Sequence, residues 1–124
     1  MTNKKELNVL GTVLQSCCED PKTGYFRDGF CRTIQEDTGT HIVCSIMTQE
    51  FLDYTKSRGN DLSTPIPYWN FPGLTVGSTW CLCINRWLEA ERAGKAPNVI
   101  LKATHQKALE YISLEMLQKY EVAI

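Results

Sequence analysis

The residues of this chain best suited to chemistry are six cysteines and two histidines. Cys81 and Cys83 stand one residue apart in the stretch WCLCINRW, Trp80 to Trp87, just ahead of a helical pattern. In an extended segment residues two apart share a face, so both thiols point one way while Trp80, Leu82 and Ile84 point the other. Both faces are then apolar, and two small buried side chains in a covered sheet would account for the pattern without any reactivity. Against that stands a nucleophile. If strand 80–84, helix 86–93 and strand 98–103 form a right-handed β-α-β unit, the two strands are parallel and Cys83 and His105 meet at their C-terminal ends, where ligand crevices open. The free amides of the helix start favour a thiolate there, and an imidazole strengthens the effect. Cys83 and His105 are therefore the candidate catalytic pair.

Metal binding is the other chemistry that the residue types allow. Structural zinc sites draw their ligands from close pairs such as C-x₂₋₄-C on tight turns, and no such pair occurs. His41 and Cys44 are three apart, which in a regular strand puts them on opposite faces. No metal site is expected from the spacing; if scattered ligands converge, Cys17, Cys31, His41 and Cys44 form the fallback set. A Cys81–Cys83 disulfide is disfavoured, since neighbours on one strand face do not reach the Cβ separation it needs.

Non-covalent binding points to the segment from Gly59 to Thr79, GNDLSTPIPYWNFPGLTVGST, with three prolines and three aromatic residues and neither helical nor strand period. Structureless loops this long are uncommon in compact domains and are often functional. Tyr68, Trp69 and Phe71 either plug the edge of the core or wall a pocket in which Asn60, Asp61, Ser63 and Thr64 supply hydrogen bonds. Glu50 could face the same crevice. Arg86, at a helix start, suits a small anion. His41 follows a polar loop in which Asp37 could orient it.

The elements that must position these groups follow from local signals. Asp28-Gly29 between Tyr25-Phe26-Arg27 and Phe30-Cys31-Arg32 suggests a β-hairpin. His41 to Met47 is β-branched and apolar, a buried strand, after which Thr48 caps a helix over QEFLDYTKSR that stops at Gly59. Asn85 is read as the cap of RWLEAERA, closed by Gly94 and Pro97, and NVILKA, 98–103, as the next strand. Thr104 then caps a short helix through Glu110, and Ser113 caps LEMLQKY. The expectation is an α+β two-layer sandwich, helices on one face of a small mixed sheet with a long irregular loop, as a single domain over 1–124.

Composition sets the class. The chain has 124 residues, 43% hydrophobic and 22% charged, with 13 basic against 14 acidic side chains. Neither a nucleic-acid footprint nor a run of about 18 apolar residues occurs, so no nucleic-acid partner and no membrane span are expected. The N-terminal residues lack a signal-peptide core, which suggests a cytoplasmic protein whose thiols stay reduced. Phosphate-loop, dinucleotide and EF-hand patterns are absent, which leaves the cofactor unknown.

Four stretches taken together, TGYFRDGFC, EDTGTHIVCSIMTQEFLDYTKSRGNDLSTP, FPGLTVGSTWCLCINRWLEA and VILKATHQKALE, resemble the small, mostly bacterial proteins grouped as domain of unknown function 2237. The resemblance runs from about Val9 to Leu117 and is most specific at GNDLSTP and WCLC. It implies one α+β domain and matches the family pattern at Cys17, Cys31, Cys44, Cys81, Cys83, His41 and His105, without roles. Cys18, and Ile34-Gln35 before the acidic pair, depart from it. The functions these readings favour, in order, are a small-molecule-binding domain with a reactive thiol in a pocket between the strand ends and the 59–79 loop, a protein-interaction or assembly module presenting Tyr68, Trp69 and Phe71, and a metal-binding domain. Neither a reaction nor an oligomeric state follows from them.

Overall fold

The computed structural model describes residues 6–18, 23–24, 27–69 and 71–122, Trp69 in its backbone alone. The apolar, β-branched run after Thr40 forms β1, His41–Ile46. Thr48 ends it and caps α1, Gln49–Ser57, its hydroxyl accepting the Phe51 amide at 3.1 Å. Gly59, at φ 90°, takes the chain out of the helix in the left-handed region that favours glycine. After the long loop comes β2, Thr79–Cys83, which runs without a break into α2, Ile84–Arg92. A two-residue β3, Asn98–Val99, two 3-10 turns and α3, Leu114–Gln118, complete the order. Ser113 caps α3 by accepting the Met116 amide.

The fold is α+β, and its sheet has the order β2-β1-β3 with both pairings antiparallel. The only parallel element among the described residues' strand pairings is an isolated bridge, Val99 to Glu121. β2 and β3 both run opposite to β1 and so share a direction, but β1 lies between them. The expected β-α-β unit of adjacent parallel strands is therefore corrected: α2 carries the chain over β1, not to a neighbouring position.

Packing divides by face. Trp80, Leu82 and Ile84 join Ile42, Val43, Phe51, Leu52, Trp87 and Ala90 in the main core, under α1 and α2. Cys44 and Cys81 belong to a second, smaller cluster with Cys31, Ile100 and Ala103, packed against Cys17 and Ile46. The alternation of Trp80, Cys81 and Leu82 between two buried faces is what the period-two pattern predicts, with Cys83 half-buried at the end of the strand.

Four local expectations change. Arg27 to Arg32 contains turns and bends with no strand, because the Asp28 carboxylate accepts the Phe30 amide and binds Arg32, making Asp28 a turn cap instead of a hairpin residue; Tyr25 and Phe26 lie outside the described residues. Asn85 is not the cap of α2: the helix starts at Ile84, behind Cys83, with no side-chain cap bond. β3 is short because Thr104 substitutes for the ladder. Its hydroxyl accepts the Cys44 amide at 3.1 Å and donates to the Ile100 carbonyl at 2.9 Å, leaving 101–103 to fold as a 3-10 turn. Backbone pairing to β1 then resumes, the His105 amide donating to Ile42, and His105 in place of Thr104 caps the following 3-10 turn, Gln106–Glu110.

Candidate functional site

The β1–β2 pairing slips by one residue at its start. Val43 stands opposite Leu82 and Cys44 opposite Cys81, yet His41 stands opposite Cys83. Ile42 is thus the extra residue of a β-bulge, a device that re-aims a side chain. It brings His41 to the face of Cys81 and Cys83, where a regular strand would have turned it away. Directly opposed residues of an antiparallel pair have Cβ atoms about 4.5–5.5 Å apart. Cys83, a half-buried free thiol, therefore has His41 as its cross-strand neighbour.

His41 is held from behind. Its Nδ1 lies 2.7 Å from the Asp37 carboxylate, whose other oxygen accepts the His41 amide at 2.9 Å and the Thr33 hydroxyl at 3.0 Å. The Asp37 side chain is 1% exposed. Burial pushes its carboxyl up, but the amide and imidazole of His41 together with Thr33 outweigh it and hold the pKa below the ordinary 3.8. An ionised carboxylate only accepts, so Nδ1 carries the proton and Nε2 of a neutral imidazole keeps its lone pair. Gly39 fits this ring: a Cβ there would meet the His41 Cε1 at 2.4 Å.

His41 opens onto a cavity of about 370 Å³. Its polar wall holds Arg27, His41, Asn60 and Asp61, and its apolar wall Leu62, Ile66, Phe71 and Trp80, with Cys81 and Gly24 completing it. The Arg27 guanidinium lies over the Trp80 ring, 5.1 Å from its centroid, and Phe71 meets the same ring edge-on at 5.2 Å. The 60–74 segment is folded onto itself to form this wall. Asn60 bonds back to Thr55 through its amide and side chain, Ile66 and Phe71 pair, and the Leu74 amide donates to Leu62. Gly73 is required at the crossing, at φ 82° and so close to the Ser63 carbonyl that a Cβ would lie 2.4 Å from it.

The other residues singled out from the sequence divide around this cavity. Asn60 and Asp61 line it; Ser63 and Thr64 do not, their amides instead closing a turn on the Asp61 carboxylate. The Thr64 hydroxyl, with those amides, lowers the Asp61 pKa. Arg86 points elsewhere, to Glu89 and the Arg58 carbonyl, and Glu50 to Lys95. The side chain of Trp69 lies outside the described residues. Tyr68 is 91% exposed, whereas Phe71 is buried. His105 lies across β1 from Cys83, against Glu6 and the Lys107 amide, on the wall of a separate, wider recess with Asp37 and Tyr111. The topology thus separates Cys83 from His105 and pairs it with His41. Sequence reasoning missed Arg27, whose stretch was read as a hairpin strand.

The reduced state expected for the thiols is also corrected. Cys17 is bonded to Cys44 and Cys31 to Cys81, and only Cys18 and Cys83 are free. Partners separated by 27 and 50 residues leave no local spacing to read. Of the fallback ligand set, Cys17, Cys31 and Cys44 come together with Cys81, not with His41.

A family model described as an uncharacterised protein conserved in bacteria matches residues 7–121. No curated protein matches the chain. No helix among the described residues is long and apolar enough to cross a membrane.

Proposed function

We propose, from the premise that this chain belongs to the family of domain of unknown function 2237, that it is a cytoplasmic small-molecule-binding domain with a reactive thiol at Cys83. The ligand sits between the strand ends and the 60–71 wall, and His41, held by Asp37, replaces His105 as the base. The observation that carries this reading is the convergence of the Asp37–His41 pair and Arg27 on a cavity whose opposite wall is aromatic. A volume of about 370 Å³ suits a compact ligand. Arg27 favours an anionic or strongly polar head, and Phe71 and Trp80 favour a flat or apolar body. His41, opposite Cys83 in the strand register, is the base for the thiol proton, and the start of α2, directly behind Cys83, stabilises the thiolate formed.

The test is alkylation of the two free thiols followed residue by residue by mass spectrometry across pH. Cys83 is expected to react faster than Cys18, and the advantage to vanish in His41→Ala but persist in His105→Ala. Equal rates at the two cysteines, or an advantage that survives His41→Ala, would remove the reactive thiol. A mixture of small anionic compounds should perturb the indole NMR signal of Trp80 in the wild type and not in Arg27→Ala; a signal unmoved by any of them argues against the pocket.

The assembly-module reading has one feature in its favour, the exposed Tyr68 at the loop tip. It stands second because Phe71, the ring that would have to share the surface, is committed to the core.

A further inference from the structure

Four cysteines of this chain converge at one point from four segments. Cys17 and Cys31 come from irregular stretches, Cys44 from the middle of β1 and Cys81 from the middle of β2. The sulfur atoms of Cys17, Cys31 and Cys81 all lie within 4.8 Å of one another. Cys44 is bonded to Cys17 and stands directly opposite Cys81 in the strand register. Two disulfides serving only as staples have no need to meet; these share one small cluster. We propose that, in the reduced protein, these four sulfurs form a tetrathiolate site for a soft divalent metal ion, zinc foremost, and that the two disulfides are the oxidised, metal-free form of the same site.

The geometry is close to what zinc requires. A tetrahedral ion with Zn–S bonds of about 2.3 Å sets its sulfurs about 3.8 Å apart. Three of the sulfurs already lie within 4.8 Å of one another, and Cys44, bonded to Cys17, is the fourth that must swing in once its bridge is reduced. The backbone beneath them is held: the Cys44 amide donates to Thr104 and the Cys81 amide to Thr23. Ile46, Ile100 and Ala103 pack around the cluster and exclude water, and the Arg27 cation sits on the wall of the adjoining cavity that Cys81 also lines. A site with four thiolates and one Zn²⁺ carries a charge of about −2, for which a neighbouring guanidinium is favourable. The site does not depend on the ligand cavity's function.

The interconversion balances. Reduction of both disulfides by two molecules of a small dithiol yields four protein thiols, and binding of Zn²⁺ releases their four protons. In reverse, two molecules of hydrogen peroxide accept four electrons from the four thiolates and, with four protons, leave as four waters. Two S–S bonds form and Zn²⁺ is released. In a glutathione-reducing compartment the metal-bound form would predominate.

The test uses the full chain, reduced with dithiothreitol, freed of reductant without oxygen and titrated with Co²⁺ and then Zn²⁺. Expected are one ion per chain, the intense visible bands of tetrahedral Co²⁺ thiolate, displacement of Co²⁺ by Zn²⁺, and an X-ray absorption shell of four sulfurs. Peroxide should release the ion as two disulfides form by mass. Cys18→Ser should bind like the wild type, whereas Cys31→Ser and Cys44→Ser should lose stoichiometric uptake. Each of those two variants also loses a bridge that supports folding, so the sulfur count on the wild type decides independently. A reduced chain that keeps its fold but takes up no ion, a shell containing nitrogen, or a bound ion that peroxide does not release would each overturn the proposal.

Discussion

The two faces of the sheet are sealed by different chemistry. Beneath α1 and α2 the seal is hydrocarbon, with Trp87, Phe51, Ile42 and Leu82 at 0–2% exposure. On the other face no α-helix of the described residues joins the cluster; irregular segments are drawn over Cys44 and Cys81 by the sulfurs of Cys17 and Cys31. A helix can bury a whole stripe of side chains by its periodicity. An irregular segment has no such stripe and depends on cross-links and single close fits. Gly24 is one of these fits: a Cβ there would lie 2.3 Å from the Phe30 carbonyl and 3.6 Å from the Cys81 sulfur. The helix-covered face should therefore answer to changes in volume, and the other face to changes in redox state.

The largest expected effect separates the faces by redox. Metal-free reduction of Cys17–Cys44 and Cys31–Cys81 should cost about 2–4 kcal/mol per bridge. Urea unfolding monitored in parallel with amide exchange should show residues 14–18 and 27–31 losing protection first, with α1 and α2 the last to open. Uniform loss across the chain would break the comparison.

A volume change on the helical side comes next. Trp87 is fully buried, meets the Tyr120 ring edge-on at 5.1 Å and donates its indole N–H to the Pro97 carbonyl at 3.3 Å. Trp87→Ala should cost about 3–5 kcal/mol in urea unfolding. Both disulfides should still form, which peptide mapping would check. A Trp87→Ala protein with scrambled bridges would mean that the two faces are not independent.

The smallest effect belongs to the end of the sheet where the faces meet, at Asp37. Asp37→Asn should cost about 1–3 kcal/mol, since it weakens charge-assisted bonds to His41 and Thr33. The carboxyl's pKa is below 3.8 in the folded chain, so its stabilising contribution is present above that pH and is lost as pH falls through the lower folded value. Thermal unfolding from neutral to acid pH should thus show a wild-type decline below about pH 4 that is shallower in Asp37→Asn. Identical acid slopes would show that the His41 anchor contributes no pH dependence.

Much of the scaffold was legible from neighbouring residues. Thr48, Gly59 and Ser113 mark element ends by their capping chemistry, and the alternation through WCLCI assigns each side chain to its face. The 59–79 stretch was legible as a loop without period, but not which of its residues face the cavity. Arg27 was not, because its place over Trp80 depends on a turn that the Asp28-Gly29 pair leaves open between several forms.

What the sequence alone determined is therefore local: caps, periods and the two-sided burial of β2 arise from contacts within a few residues along the chain. The partner of each histidine and each sulfur was decided only in three dimensions. One extra residue at Ile42 sets His41 opposite Cys83 in the register, and β1 entering between β2 and β3 takes His105 away from it. Register and strand order are set by the summed burial of distant segments. A shift of one residue reverses a side chain's face while leaving every local preference unchanged.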